Sequence, residues 1–481
     1  MLFPTITFAV FFMVVFPVSW LLMPRRRRWK VFMIAASYFF YGYGVTTSHW
    51  DYPLLIAAST IGNQLLAHRI YAAKTERTKR WWLILAVAGN LGMLGYFKYY
   101  DFFVSEATNL LDRVGVDVAP SLISVTLPVG ISFFTFQALS YVIDIYRGTF
   151  KPGRFLDFAV FLSFFPHVVA GPIVRPAEFL PQLKEAHDPR SIDASRAVFL
   201  IFTGLFKKVV LADFLAREIV DVVFGSPHQH SGFTVLIAIY AFAVQIYADF
   251  SGYTDIAIGL ALLLGFRFPQ NFDAPYTAAS IQDFWRRWHM TLSRWLRDYL
   301  YIPLGGNRNG RWRTYRNVML TMLLGGLWHG AAWTFVVWGA IHGGFLAFEH
   351  SRRARREARG LPDPPDTRLR RMAARVITFH IVCFAWVFFR AESFTHASDI
   401  LGRLFDPSHW LDRSPLVTGG VLLAIGVGIG EQYIPRVAIG RAVAAFSRMA
   451  PVMQGALLAL ALLVIDSLGP QGFAPFIYFQ F

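Results

Sequence analysis

Histidines within apolar stretches are the residues of this sequence that offer the clearest chemistry. His329 lies within "LTMLLGGLWHGAAWTFVVWGAIHGG" (Leu320–Gly344), a stretch without Lys, Arg, Asp or Glu that is as apolar as a membrane span. Imidazole is the commonest general acid or base in enzymes because it changes protonation near neutral pH. Ionisable groups within a membrane bundle are functional candidates by default, although a neutral histidine can also simply bridge helices by hydrogen bonds.

Small residues surround this histidine in the sequence. They are Gly325, Gly326, Gly330, Ala331 and Ala332. Because a structural contact would need bulk, this composition favours open space around the imidazole, although small residues also permit close helix packing. The glycines also predict a break in the helix.

The second candidate is His289, in "DFWRRWHMTLSRWLRDYLYIP". On a continuous helix, one face would carry Trp285, Trp288, Leu292, Trp295, Leu296 and Tyr299. The other side would carry Arg286, Arg287, Arg294 and Arg297 with Asp283 and Asp298. This pattern predicts an amphipathic helix near the cytoplasmic interface, with His289 at the edge of the apolar face and turned toward the interior.

The arginines of this segment have two open interpretations, contact with lipid headgroups or bidentate binding of substrate phosphates. "LGGNRNGRWR" adds glycine-rich turns and positive charge, but without GxxxxGK[ST] it gives no support for nucleotide hydrolysis. In "DFSGYTDIAIG", Asp249 and Asp255 could orient a histidine, bind a polar group or make structural hydrogen bonds. The candidate substrate-binding residues are Trp285, Arg286, Trp288, Ser293, Arg297, Asn307, Arg308, Trp328 and Asp255.

The remaining histidines are interpreted as structural or interfacial: His167, His342 and His380. A metal site is not expected, since only His228 and His230 are closely spaced and they lie in a predicted outer loop. The GxSxG motif of serine hydrolases is missing as well.

Composition assigns the chain to the membrane proteins. Of its 481 residues, 55% are hydrophobic and only 16% are charged, and the mean hydropathy is +0.43. The net charge of +16 is concentrated in basic clusters beside apolar segments, which is typical of cytoplasmic loops and does not indicate nucleic-acid binding. The single cysteine, Cys383, excludes an internal disulfide.

Long apolar runs predict an all-α polytopic protein with roughly eleven to thirteen membrane segments. The basic cluster after the first span places the N-terminus outside the cytoplasm. "FLSFFPHVVAGPIVRP" (Phe161–Pro176) is interrupted by prolines and predicts a re-entrant segment. Asn317–Glu349 is shorter than the roughly 40 residues of two full crossings, so it predicts a hairpin or a broken helix with His329 near its apex.

Several long motifs, in order, resemble the membrane-bound O-acyltransferase (MBOAT) family, specifically its bacterial alginate O-acetylase branch. They are "FLSFFPHVVAGPIVRP", "YADFSGYTDIAIG", "FPQNFDAPY", "DFWRRWHMTLSRWLRDYLYIPLGGNR" and "GGLWHGAAWTFVVWGAIHG". The resemblance implies one domain over 1–481, with N-terminal spans in 1–150, a catalytic core in 151–350 and C-terminal spans in 351–481. It also implies that His329 is the catalytic residue and that His289 is its second histidine.

The resemblance further implies transfer of an acetyl group from cytoplasmic acetyl-CoA, without a permanently bound cofactor. The expected acceptor is an extracytoplasmic polysaccharide, reached through periplasmic partner proteins, and the expected location is the inner membrane of a bacterium. Two activities remain as alternatives: D-alanyl transfer from a carrier protein to teichoic acid, and transport of a glycan or lipid without acyl chemistry. A structural membrane scaffold is a further alternative.

Overall fold

A computed structural model describes the chain except for residues 44–50, 117–124, 186, 363–364, 413, 471–475 and 478–481. The regular structure of the described residues is entirely helical, which confirms the predicted all-α class. The chain forms two compact units, Met1–Ala197 with Ala257–Pro269 and Val198–Ile256 with Gln270–Phe481. These boundaries differ from the predicted divisions at 150 and 350, and the organisation as one functional domain stays a prediction.

The first unit is built around packed helices with polar contacts inside it. Helices α3, α4 and α6 pack together, and α2 packs against α7 and α8. Asn63 and Asn90 exchange hydrogen bonds of 3.2 and 2.6 Å between α3 and α4. The helices are α1 (Ile6–Leu22), α2 (Arg26–Gly42), α3 (Tyr52–Ala72), α4 (Glu76–Leu94), α5 (Tyr100–Arg113), α6 (Ile131–Tyr146), α7 (Phe155–Ser163), α8 (Phe165–Val168) and α9 (Pro176–Phe179).

The second unit contains both candidate histidines. Its first helix, α10, continues through π-helical turns at Phe206–Asp213 and Ala216–Val220, and α10 and α12 include the points where the chain passes between units. The helices are α10 (Ala194–Leu205), α11 (Asp221–Gly225), α12 (Gly232–Leu263), α13 (Ile281–Arg287), α14 (Met290–Leu296), α15 (Arg311–His329), α16 (Trp333–Ala358), α17 (Arg368–Arg390), α18 (Phe394–Phe405), α19 (Gly419–Gly430), α20 (Arg436–Ser447) and α21 (Pro451–Leu468).

Three helices in the described parts of the chain are long and apolar enough to cross a membrane alone: α12, α17 and α21. The segment from α19 through Tyr433 forms a fourth candidate together with α20, but the two parts are bent by 95°. Other predicted spans fall on shorter or interrupted helices, so the count of roughly eleven to thirteen membrane segments stays a prediction.

The proline-containing segment Phe161–Pro176 folds as short, interrupted helices, as the sequence predicts. Helix α7 ends at Ser163, α8 covers one turn, and irregular backbone leads to α9. Nearly all of the segment is buried within the first unit. This burial fits the rule that irregular backbone at membrane depth is covered by protein, because its polar groups cannot be satisfied by lipid.

Candidate active site

His289 lies at a break between α13 and α14. The single amphipathic helix expected from the sequence is therefore wrong. The backbone of His289 is left-handed, with φ of 41°. Backbone from the segment before α13 replaces the helical hydrogen bonds here, because Met290 N–H donates to the carbonyl of Asn271 at 2.9 Å and Asp273 N–H donates to the carbonyl of Arg287 at 2.9 Å.

The side chain of Asn271 holds the residues that follow this break. Its Oδ1 accepts hydrogen bonds from Thr291 N–H at 3.1 Å and from the Thr291 hydroxyl at 2.8 Å. The same oxygen lies 3.2 Å from His289 Nδ1. Since the amide oxygen can only accept, the contact assigns the ring proton to Nδ1 and a lone pair to Nε2. Burial lowers the pKa of His289 to about 3, so its ring is neutral near pH 7.

His329 is the last residue of α15, and α16 begins four positions later at Trp333. The two helices pack along their length, which confirms the predicted hairpin. The break lies at Gly330–Ala332, whereas Gly325 and Gly326 are within α15 and were wrongly expected to form part of it. The hairpin therefore presents His329 at its turn.

The glycines of the hairpin allow close packing and do not leave the open space that the sequence suggested. A Cβ atom at Gly326 would lie 2.2 Å from the carbonyl oxygen of Phe335. At Gly330 it would lie 2.0 Å from the Phe335 ring, and at Gly339 it would lie 2.3 Å from the carbonyl oxygen of Met322. Because Cβ contacts shorter than 3.0 Å are essentially never seen, glycine is needed where α15 meets α16.

The structure brings the two histidines together. Their ring centroids are 6.4 Å apart, and Trp328 lies beside both, 6.1 Å from His289 and 5.0 Å from His329. Trp338 and Phe389 contact His329 at 5.1 and 5.3 Å. The two histidines are 0% and 3% exposed, respectively. A buried pair of imidazoles in an aromatic environment can serve acid–base chemistry away from bulk water.

The predicted substrate-binding residues occupy different places. Trp328 touches both histidine rings, and Trp285 contacts Trp338 at 5.7 Å. Trp288 is 1% exposed and packs against Phe284 and Trp386. The remaining members are exposed or half-buried: Arg286, Ser293, Arg297, Asn307 and Arg308.

Two of these polar residues have partners within their own segment. The Arg297 guanidinium donates to both carboxylate oxygens of Asp298, at 2.6 and 3.1 Å. The Ser293 hydroxyl donates to the carbonyl of Trp288 at 3.3 Å. Their roles in substrate binding stay predictions.

Asp249 and Asp255 form ion pairs with two adjacent lysines, the first pair buried and the second half-buried. Lys207 lies 3.1 Å from Asp255 and 3.5 Å from Glu431. Lys208 lies 2.8 Å from Asp249 and 2.8 Å from Asp213. The π-helical turn at Phe206–Asp213 carries both lysines. Each aspartate therefore has a lysine partner, and a role of Asp255 in substrate binding stays a prediction.

The other histidines divide into two kinds. His167 makes a 2.7 Å hydrogen bond with the carbonyl of Phe161, and His380 bridges Tyr240 at 2.7 Å and the carbonyl of Val376 at 2.8 Å. These contacts fit the structural interpretation. His342 is surrounded by aromatic rings instead. Among the residues that the structure describes, no group of three or more His, Cys, Asp or Glu side chains could hold a metal ion.

The chain is similar to known proteins over its whole length. Residues 150–389, which include both histidines, match the membrane-bound O-acyltransferase family, MBOAT. The chain is 38% identical to a probable alginate O-acetylase of Azotobacter vinelandii, with 100% of both proteins covered. The chain belongs to the membrane-bound O-acyltransferase family. It is therefore a multi-pass membrane enzyme that transfers acyl groups.

Two further relatives of this acyltransferase differ in their stated acceptors. The chain is 38% identical to a peptidoglycan O-acetyltransferase of Helicobacter pylori, over 77% of this chain and 73% of the relative. It is 28% identical to a teichoic acid D-alanyltransferase of Bacillus subtilis, over 56% of this chain and 69% of the relative. The relatives with the higher identity are O-acetyltransferases, which supports membrane O-acetyl transfer as the general activity of this chain.

Sequence reasoning did not single out Asn271 or Trp338 as parts of the site. Asn271 lies in "FPQNFDAPY", and its spacing from His289 has no helical periodicity. Trp338 follows His329 in the same apolar stretch and has the pattern of an ordinary core residue. Only the family motifs containing these residues could have indicated them.

Proposed function

We propose that this acyltransferase moves an acetyl group from acetyl-CoA, supplied from the cytoplasm, toward hydroxyl groups of an extracytoplasmic polysaccharide. Periplasmic partner proteins complete the transfer to the glycan. The observation that carries this proposal is the buried contact between His289 and His329, 6.4 Å apart, within the region that matches the family. The names of the most similar relatives support an acetyl group and a polysaccharide acceptor.

In this mechanism His329 acts as the general base. Its neutral imidazole accepts the proton of the attacking hydroxyl while the hydroxyl oxygen bonds to the thioester carbonyl carbon. The tetrahedral intermediate then expels the CoA sulfur, and the proton held by His329 is available to that leaving group. The products are the acetyl ester and free CoA. A thioester is already activated, so the step requires no covalent enzyme nucleophile.

His289 has the complementary role of orienting the donor and polarising its carbonyl. Asn271 fixes the orientation of the His289 ring through the 3.2 Å contact with Nδ1. The indole of Trp328 lies against both imidazoles, and in this mechanism its N–H would donate to the developing oxyanion. The exposed Arg286 and Arg308 would bind the CoA phosphates.

The test uses inverted membrane vesicles, which expose the cytoplasmic face to added labelled acetyl-CoA. Labelled protein and glycan are followed for the intact chain, His329→Ala, His289→Ala and the control variant His380→Ala at matched expression. His380 is a histidine of α17 with hydrogen-bond partners in Tyr240 and Val376. Loss of a general base typically lowers rates by roughly 10²–10⁴-fold.

The expected result is loss of labelling with His329→Ala, strong reduction with His289→Ala and retention with His380→Ala. Equal labelling of the intact chain and His329→Ala would reject His329 as the base. Labelling from a D-alanyl carrier protein in place of acetyl-CoA would favour the D-alanyl transferase alternative. The chemical identity of the labelled glycan would identify the acceptor.

A further inference from the structure

A third buried histidine near the site carries polar groups that the protein itself leaves without partners. His342 is 0% exposed, and neither of its ring nitrogens has a hydrogen-bond partner in the described structure. A neutral imidazole can donate one hydrogen bond and accept another. Leaving such groups unsatisfied in a protein interior is unfavourable, so this arrangement needs an explanation.

The surroundings of His342 are aromatic. Its ring lies parallel to Phe284, with an interplanar angle of 9° and a centroid distance of 5.9 Å. Trp285 and Trp338 approach it at 5.3 and 4.8 Å in edge-on arrangements. A phenylalanine ring would satisfy these packing contacts equally well, so packing alone does not account for an imidazole.

Two indole groups beside His342 share its property. Nε1 of Trp285 and Nε1 of Trp338 are buried and have no hydrogen-bond partner within the described residues. Trp338 itself is 0% exposed and contacts both His342, at 4.8 Å, and His329, at 5.1 Å. Three neighbouring rings therefore hold unused hydrogen-bonding capacity, and one of them, Trp338, contacts the proposed base.

The fold holds these rings in place by a second contact between α13 and α16. The carboxylate of Glu349 accepts from the N–H groups of Ile281 at 2.7 Å and Gln282 at 3.0 Å, which fixes the first turn of α13. Because α13 is fixed there, Phe284 and Trp285 are directed against His342. The polar rings are thus held by contacts between α13 and α16.

We propose that His342, Trp338 and Trp285 form a hydrogen-bonding wall that binds the uncharged, carbonyl-containing arm of the acyl donor. Two indole N–H groups and one imidazole N–H donate to carbonyl oxygens, and the remaining imidazole nitrogen accepts from an amide N–H. This inference rests on the proposed function. It adds a binding role for a histidine that the sequence had suggested to be structural.

The position of His342 along α16 indicates that the wall binds the acyl donor and not the acceptor. Beyond His342, this helix leads to the exposed arginines from Arg352 onward, the end that charge distribution predicts to be cytoplasmic. At 1.5 Å per residue, Arg352 lies about 15 Å along the axis from His342. A cytoplasmic donor whose acyl group reaches His329 therefore passes His342 with the part that lies between its phosphates and its thioester.

The experiment separates binding from folding by measuring the KM for acetyl-CoA and the thermal unfolding midpoint in the same membranes and detergent. The variants are His342→Phe, His342→Gln and Trp338→Phe, with His380→Phe as the matched control. His342→Phe keeps the ring and removes both nitrogens. His380→Phe makes the same change at a histidine whose nitrogens are hydrogen-bonded to Tyr240 and Val376.

We expect His342→Phe to raise the KM about tenfold, as expected for loss of one or two hydrogen bonds, without lowering the unfolding midpoint. His342→Gln should recover part of the affinity, and Trp338→Phe should also raise the KM. His380→Phe should lower the unfolding midpoint and leave the KM unchanged.

A KM within twofold of that of the intact protein for both His342→Phe and Trp338→Phe would contradict the proposed hydrogen-bonding wall. So would an unfolding midpoint that falls as much for His342→Phe as for His380→Phe, with the KM unchanged. If the intact chain does not transfer acetyl from acetyl-CoA at all, the proposed function fails, and the inference that rests on it fails with it. The two failures can be told apart, because failure of the proposed function is seen with the intact chain alone, whereas failure of the wall is seen only in the variants.

Discussion

The two histidines of the site are positioned by opposite kinds of local structure. His329 ends a regular helix of a tightly packed hairpin, where glycines let α15 and α16 approach each other. His289 lies in a left-handed conformation between two short helices. The next two residues, Met290 and Thr291, donate backbone hydrogen bonds to Asn271, which is distant in sequence.

This difference shows two ways of fixing the side chain of a candidate catalytic residue. At His329 the position follows from helix packing, so steric changes in the hairpin are the most damaging. At His289 the position follows from polar contacts and from a backbone conformation that costs energy for an L-residue. Strain of this kind persists only where surrounding contacts enforce it, and here Asn271 supplies them.

The largest expected effect comes from adding one methyl group to the hairpin. Gly326→Ala places a Cβ atom 2.2 Å from the backbone oxygen of Phe335, which cannot move without separating α15 from α16. Overpacking of this kind should destabilise the protein by about 3 kcal/mol. The thermal unfolding midpoint in detergent measures it.

The control for this change is Gly344→Ala on α16, where an added Cβ atom meets nothing within 4 Å. Alanine is the better helix former, so this variant should be at least as stable as the intact protein. If the two variants unfolded at the same temperature, close packing at Gly326 would not be what holds the hairpin.

The next largest effect concerns the polar anchor of His289. Asn271→Ala removes the acceptor of the Thr291 N–H and hydroxyl groups, which are buried. We expect a loss of about 2 kcal/mol in stability and a strong loss of acetyl transfer, because the His289 ring also loses its contact. Asn109→Ala, at an exposed asparagine of α5, is the control and should change neither quantity. Full activity of Asn271→Ala would show that His289 does not need this anchor.

The neutral state of His289 predicts how stability depends on pH. An unfolded histidine titrates near 6.5, whereas the pKa of buried His289 is lowered to about 3. Below pH 6.5 the unfolded chain therefore takes up a proton that the folded chain does not. As the pH falls below 6.5, the free energy of unfolding should decrease by up to about 1.4 kcal/mol per pH unit. The stabilisation from neutral His289 is fully present above pH 7.

The measurement compares unfolding midpoints from pH 7 to pH 5 for the intact chain and His289→Gln. The glutamine variant should show a shallower decline, because it removes the group that titrates only when unfolded. Parallel declines in the two proteins would contradict the buried neutral state of His289.

The smallest effect is also the sharpest test of the two backbone conformations. At position 289 the left-handed backbone should make His289→Gly more stable than His289→Ala by about 1 kcal/mol. At position 329 the helical backbone should reverse the order by a similar amount. Unfolding midpoints of the four variants give both differences. The same sign at both positions would remove the contrast between the two histidines.

Several features of the site were predictable because their signals are local. The apolar segment around His329 was predicted to turn back on itself, and α15 and α16 do so. His289 was predicted to face the interior and is fully buried. The break at His289 was not predictable from periodicity, because the apolar spacing on either side is consistent with one helix and the competing hydrogen bonds come from Asn271 and Asp273. The same limit applies to His342, whose nitrogens have no hydrogen-bond partner among the described residues because its neighbours from α13 are aromatic.

The sequence by itself determined the membrane class, the all-helical fold and the family, because hydropathy and long motifs are properties of consecutive residues. Only the tertiary structure decided that His289 and His329 meet. His289 lies between α13 and α14 and His329 at the turn of the hairpin, and the two positions are separate in sequence. It also decided that residues of α16 occupy the space beside the glycines near His329 and that Asp255 is paired with Lys207. The physical reason is that packing and buried hydrogen bonds join residues by distance in space, which local sequence patterns do not record.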